Sequence, residues 1–326
     1  MRITYSESLQ LRGLAILMMI LLHCFNKDSM GSTYMSFFPD VSGVTIPYLL
    51  TRIAQICVPL YCFLSGYGLY CKYPYSEGYT KNKFFTLVKQ YWFVLIIFAV
   101  IGYVFFAQYD FNFSSVAGNI LAYDTTWNVT LWFLLPYILL LFLSKFVFGF
   151  INKRKIFVAL PIIVVLWLGA MTLLKFEKNG TLEINVILKN VLQVFRLMLP
   201  FCMGAYCKKY ENVELPRYLQ KMAIVIAVLV LLTRFLVWNH FTLPIACLCF
   251  VYLYHVMPVS GAVKAILSYF GEKSLFLWFC HAYFIYYYLK DYTFAAYYAL
   301  SIFLLAIIYS LVCATILEFV YKKLRL

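Results

Sequence analysis

Charge is scarce in this sequence. Only 12% of its 326 residues are charged, Asp and Glu together number 13, and 64% are hydrophobic. A soluble domain is roughly half apolar and a quarter charged. The shortfall excludes an ordinary water-soluble core and fits a chain whose solvent is mostly lipid. Internal repeats, low-complexity tracts and Pro- or Gly-rich linkers are also lacking, so a single transmembrane domain over residues 1–326 is expected, with no fused soluble domain. No small-residue cleavage site follows the apolar run ending at Leu22, where the chain continues His23-Cys24-Phe25-Asn26-Lys27. The N-terminal segment therefore reads as a retained span and not as a signal peptide.

Nearly all of the ten cysteines fall inside or at the ends of apolar segments, whereas a secreted disulfide scaffold would place them in loops. Cys247-x-Cys249 lacks the flanking ligands of a zinc site, and no metal is expected. All ten read as small buried hydrophobes. The net charge of +14 is dispersed in short runs between apolar segments, such as Lys153-Arg154-Lys155 and Lys208-Lys209. That is the pattern of cytoplasmic loops, and it excludes the concentrated basic footprint of a nucleic-acid binder.

A helix needs about 20 residues to cross the hydrocarbon core. Ten candidate segments are present, at about 10–26, 53–72, 91–107, 131–149, 156–174, 186–207, 219–237, 241–257, 273–289 and 295–320. The fold class expected is all-α, a polytopic helical bundle with about ten transmembrane helices. With both termini cytoplasmic, the inside segments hold about 17 Lys and Arg and the outside segments about 5, a strong asymmetry by the positive-inside rule. The outer loop from Gln108 to Thr130 has no Lys or Arg and carries Asp110 and Asp124. A multi-pass protein of the cell membrane is expected.

The first span holds Arg12 and His23, eleven residues apart. At 3.6 residues per turn this is close to three turns, so both lie on one face, roughly 16 Å apart. Ionisable groups inside a span are costly unless they face a partner or water, and two on one face argue for a polar, cavity-lining surface. The structural alternatives are that Arg12 snorkels to lipid phosphates and that His23 hydrogen-bonds within the bundle. A histidine suits proton removal from a hydroxyl near neutral pH, and an arginine fork suits phosphate or carboxylate. Gly13 leaves room for another group to approach the backbone.

Other polar groups stand in the spans. Lys189 and Arg196 are two turns apart on one face of the sixth segment. Arg196 should face a cavity or a carboxylate and is a further candidate for donor or substrate contact. Ser65-Gly66 allows close helix packing, and no Gly-x-Ser-x-Gly elbow surrounds Ser65 to make it a nucleophile. His281 in mid-span and His255 at a span end read either as hydrogen-bonded packing residues or as functional ones. The aromatic fraction of 20%, including the run Tyr286-Tyr287-Tyr288, is attributed mainly to interfacial belts.

The segment Leu11-Arg12-Gly13-Leu14-Ala15 through His23 is similar to the arginine, ten residues, histidine motif of acyltransferase family 3. Val58-Pro59-Leu60-Tyr61-Cys62-Phe63-Leu64-Ser65-Gly66-Tyr67 resembles that family's second-span segment ending in Ser-Gly-Tyr or Ser-Gly-Phe. Leu131-Trp132-Phe133-Leu134 resembles its Leu-Trp-Phe helix start, and Phe270-Gly271-Glu272-Lys273-Ser274-Leu275 through His281 its late Gly-x-x-Ser segment followed by a histidine. Glu318 falls where the family often has Glu. The matches run in family order through the whole chain. Members are membrane enzymes that transfer acyl groups, commonly acetyl, from acyl-CoA to extracytoplasmic carbohydrates. Where the family often carries two arginines three apart, this chain reads Thr86-Leu87-Val88-Lys89, and Lys89 is the basic group at that place. A lysine there is a point charge without a bidentate fork.

The resemblance implies an acyl-CoA-dependent O-acetyltransferase with His23 catalytic and Arg12 and Lys89 binding the acyl donor. Arg196, Ser65, Tyr67, Trp132 and His281 are the further candidates for substrate or donor contact. The expected partners are membrane lipid, acyl-CoA and a carbohydrate acceptor, with no nucleic acid. The alternative is a transporter of a polysaccharide or lipid-linked sugar without acyl chemistry, since intramembrane Arg and His also suit a substrate path. Against it, no duplicated halves of the kind common in secondary transporters are seen.

Overall fold

The computed structural model describes residues 1–26, 34–37, 40–41, 43–75, 77–106, 109, 111–214, 216–237 and 239–324. Lys27, Gln108, Asp110 and Arg325, used in the loop-charge reading, lie outside the described residues. The helices in chain order are α1 (Tyr5–Phe25), α2 (Ile46–Ala54), α3 (Cys57–Tyr70), α4 (Glu77–Ile101), α5 (Phe113–Ile120), α6 (Leu134–Lys153) and α7 (Ile156–Lys178). They continue with α8 (Val186–Lys209), α9 (Arg217–Leu236), α10 (Leu243–Val256), α11 (Gly261–Ala282), α12 (Lys290–Phe294) and α13 (Ala299–Lys323). Among the described residues the only β pairings are isolated bridges. The protein is an all-α polytopic membrane protein.

Eight helical segments of the described chain are long and apolar enough to cross a membrane. The eighth expected span is the shorter apolar stretch His240–Val256. The ninth differs from expectation. It was placed at 273–289, whereas α11 begins at Gly261, capped by the Ser260 hydroxyl accepting from the Val263 amide. Lys264, Glu272 and Lys273 make its first half too polar to read as a span, yet their straight-chain side chains are compatible with helix. At the N-terminus α1 likewise starts earlier than expected. Thr4 and Glu7 form a reciprocal capping box that satisfies the first free amides.

The chain divides into two compact units. One comprises Met1–Arg2, Tyr61–Lys89 and Asp110–Glu214; the other comprises Ile3–Leu60, Gln90–Tyr109 and Leu215–Leu326.

In the second of these, α1 and α11 pack backbone against backbone. A Cβ on Gly13 would run into the carbonyl oxygen of Leu267, and one on Gly271 into that of Leu9. Each glycine thus faces the carbonyl four residues before the other, and since His23 and His281 lie side by side further along, the pair is parallel and in matched register. This is the close approach expected at Gly13. Without lipid-excluding burial to drive helices together, such small-residue contacts let van der Waals packing do so. α11 is also tied to α13 by Lys273, which pairs with Glu318 at 2.9 Å.

In the other unit, α3 and α8 repeat the device. A Cβ on Gly66 would meet the Phe201 carbonyl, and one on Gly204 the Phe63 carbonyl. Phe148 of α6 stacks on Phe201 of α8 with centroids 5.5 Å apart. Six cysteines are buried as expected, but Cys71 is exposed because α3 ends at Tyr70 and leaves it in the following turn.

Candidate active site

Matched register has a chemical result. Ten residues beyond Gly13 stands His23, and ten beyond Gly271 stands His281. Parallel helices in backbone contact carry both to the same level, and their rings lie 5.1 Å apart, tilted by 37°. His281 is fully buried. Its Nδ1 lies 2.9 Å from the Trp278 carbonyl oxygen and 3.1 Å from that of Leu277. Carbonyls only accept, so Nδ1 carries a hydrogen and a neutral ring keeps its lone pair on Nε2. That Nε2 is buried with no hydrogen-bond partner among the described residues.

His23 is half-buried. Its Nδ1 lies 2.9 Å from the Tyr286 hydroxyl, with the rings edge to face at 5.6 Å. Tyr286 belongs to a π-helical turn, Tyr283–Tyr287, that continues α11. Such single wide turns inside helices are frequent at functional sites. Two tyrosines of the Tyr286-Tyr287-Tyr288 run make specific contacts within the protein. Tyr286 bonds His23, and Tyr288 donates to the Phe98 carbonyl at 2.7 Å. A sequence shows that tyrosines are adjacent, whereas a π turn, which decides where they point, leaves no periodic signature.

Arg12 stands three turns from His23 on α1, where its guanidinium donates to the Ser8 hydroxyl at 3.3 Å. The two are not in contact. At the same end of the helix Glu7 pairs with His255 at 2.8 Å, and Tyr254 donates to Gln10 at 2.7 Å.

The other unit gathers a second set of the candidates. The Ser65 hydroxyl lies 2.7 Å from that of Tyr137, and Lys83 donates to Ser65 at 3.1 Å. Lys83 also sits 5.6 Å from the Tyr137 ring centroid. Arg196 and Trp132 meet, with the guanidinium carbon 5.0 Å from the indole centroid. Arg196 was expected to face a cavity or a carboxylate; its recorded partners are this ring and Gln193, a cation–π placement that needs no acid. Lys189 does not join it, pairing with Glu177 at 2.7 Å. Tyr67 donates to Glu211 at 2.9 Å. The Lys208 ammonium and that hydroxyl hold the Glu211 carboxyl below the usual carboxylate range. Lys89 is exposed and outside the Ser65 cluster. The fold brings two basic residues to the Ser-Gly-Tyr segment, Lys83 to Ser65 and Lys208 to the Tyr67 ring, 5.8 Å from its centroid, and nothing in the spacing of Lys83 distinguished it from its neighbours. Among the described residues no group of three or more His, Cys, Asp or Glu is placed to hold a metal.

A family model described as an acyltransferase domain, that of acyltransferase family 3, matches residues 9–319. The chain belongs to this family. Comparison with the curated proteins returns no match, and neither does comparison with the solved structures. The chain is therefore a membrane acyltransferase, and both His23 and His281 fall within the matched region. In this acyltransferase, Tyr286→Phe removes a hydroxyl from His23 without altering the ring. One neutral hydrogen bond contributes about 1 kcal/mol net. The variant is expected to keep its fold and lose about fivefold in kcat, measured as acyl transfer by purified protein in lipid.

Proposed function

We propose that this acyltransferase moves an acyl group, acetyl in the first instance, from cytoplasmic acyl-CoA to a hydroxyl of a cell-surface polysaccharide or lipid-linked glycan. The observation that carries this reading is the Nδ1 contact of His23 with Tyr286 beside the buried His281. With Nδ1–H donating to Tyr286, Nε2 of His23 keeps the lone pair of a general base. It takes the proton of the sugar hydroxyl as that oxygen attacks the thioester carbonyl. The carbon–sulfur bond then breaks, CoA leaves as thiolate, and the proton held on His23 returns to sulfur.

Arg12 is assigned to the phosphates of the donor. It lies at the end of α1 that the loop charges make cytoplasmic, roughly 16 Å from His23. The long pantetheine arm of CoA separates phosphate from thioester and suits such a spacing. Lys89, exposed on α4, is a second donor-binding candidate. Ser65, Tyr67, Trp132, Arg196 and His281 remain candidates for substrate or donor contact. Both termini face the cytoplasm of a cell membrane in this scheme, as the positive-inside asymmetry supports.

The reading is tested with purified protein in lipid and acetyl-CoA. Consumption is expected only when an acceptor glycan is present, and the acyl group should appear on the glycan as an ester. Export of unmodified glycan with acetyl-CoA untouched would favour transport. Arg12→Ala should raise the KM for acyl-CoA by about tenfold or more, since a charged hydrogen bond contributes about 1.5–3 kcal/mol, and should change kcat less. Arg12→Lys should recover only part of the loss, because a point charge does not replace the fork.

A further inference from the structure

Two arginines stand where α2 ends beside the end of α9, and neither pairs with an acid among the described residues. Arg52, in the last turn of α2, donates through Nη1 to the carbonyl oxygens of Phe235 and Leu236. Arg234, in the last turn of α9, is 1% exposed, the most deeply buried arginine of the described chain. It donates to the Asn239 carbonyl and to the Gln55 side-chain oxygen. The Tyr48 ring lies 5.5 Å from the Arg52 guanidinium carbon. No carboxylate forms an ion pair with either group among the described residues.

The carbonyls of a helix C-terminus attract a cation, but they amount to only about half a negative charge. Two whole positive charges stand against them. An arginine taken out of water without an opposite charge costs several kcal/mol, and a second one nearby raises that cost. The donors tell the same story. Each guanidinium has five N–H bonds. Among the described residues, the Nε of Arg52 and the Nε of Arg234 are both buried with no partner. Arg52 is half-buried and gives the pair an accessible side.

The geometry points to a binding site for one oxyanion, a phosphate or a carboxylate, at the paired ends of α2 and α9, held by Arg52 and completed electrostatically by Arg234. An oxyanion supplies the missing charge and accepts from the forked donors in a way a point acceptor does not. By the loop charges this end of the bundle is extracytoplasmic, the side on which the proposed acceptor waits. Two sources share the chemistry: a lipid headgroup phosphate, or an anionic group carried by the acceptor or free in solution. The site stands on its own contacts and does not depend on the role given to His23.

The test uses the full chain in dodecyl maltoside, a detergent without phosphate, with thermal unfolding followed as inorganic phosphate or pyrophosphate is added at constant ionic strength. A second arm adds phosphatidylglycerol to the micelles and no inorganic phosphate. Saturable stabilisation by either probe is expected for the native protein and for Lys290→Gln, which removes an exposed cation elsewhere. In Arg52→Gln the half-saturating concentration should rise about tenfold, the loss of one charge-assisted bond. Stabilisation in the first arm identifies a soluble or acceptor-borne anion, and stabilisation in the second alone identifies a headgroup. Absence of stabilisation in both arms overturns the site. So does an identical response from Arg52→Gln. If that variant does not fold, Arg52→Lys is read in its place, with weakened binding expected and unchanged binding overturning the site.

Discussion

Replacing His23 with Ala is expected to lower acyl transfer by about two to four orders of magnitude, the usual contribution of a positioned general base, while the protein stays folded in the membrane. His23 is only half-buried, so its loss leaves a small void at an edge and no hole in a closed core. His23→Gln separates chemistry from scaffolding. A glutamine can keep a hydrogen bond to Tyr286 but cannot accept a proton near neutral pH. It should therefore fold like the native protein and be as inactive as the alanine variant. The measurement is ester formation on the acceptor glycan, with membrane yield and thermal midpoint beside it. Full acylation by either variant would remove His23 from the mechanism.

Gly13→Ala should be among the most damaging single-methyl changes in the helical core. The added Cβ has the Leu267 carbonyl in its place, and a backbone group cannot rotate away as a side chain can. The helices must separate, which costs about 1–3 kcal/mol for overpacking. Separation also carries His23 away from His281, so activity should fall further than stability alone explains. Gly271→Ala strikes the same contact from the other side. Once one alanine has pushed the helices apart, the second meets open space. The double variant should then lose clearly less stability than the two single losses added together, the coupling expected of groups sharing one contact. Thermal unfolding of the three variants in one detergent measures this. Strict additivity would mean that the two glycines do not share an interface.

The first span shows how far the residues alone reach. Spacing put Arg12 and His23 on one face, and the capping box shifts the start of α1 without disturbing that phase, because a helix keeps its periodicity wherever it begins. The second half of α11 was legible as apolar chain and its first half was not. Lys264, Glu272 and Lys273 look like loop charges until the helix is seen to run through them. Arg196 illustrates the opposite limit. Its charge inside a span calls for compensation, but the indole of Trp132 is brought to it by folding, from a position more than sixty residues earlier.

The sequence by itself determined the solvent of this protein, its helical class and the family it belongs to, since hydropathy, helical period and motif order are local properties of the chain. It also determined that α1 offers an arginine and a histidine on one face. Only the tertiary structure decided what meets that face. His281 lies 258 residues from His23, and no local pattern links them. They come together because Gly13 and Gly271 let two backbones touch in register, an interaction made by the absence of side chains. Tyr286, Lys83 and the Arg52–Arg234 pair were hidden for the same reason. Each takes its meaning from a neighbour that folding supplies, and contacts between distant segments leave no periodic trace in a single sequence.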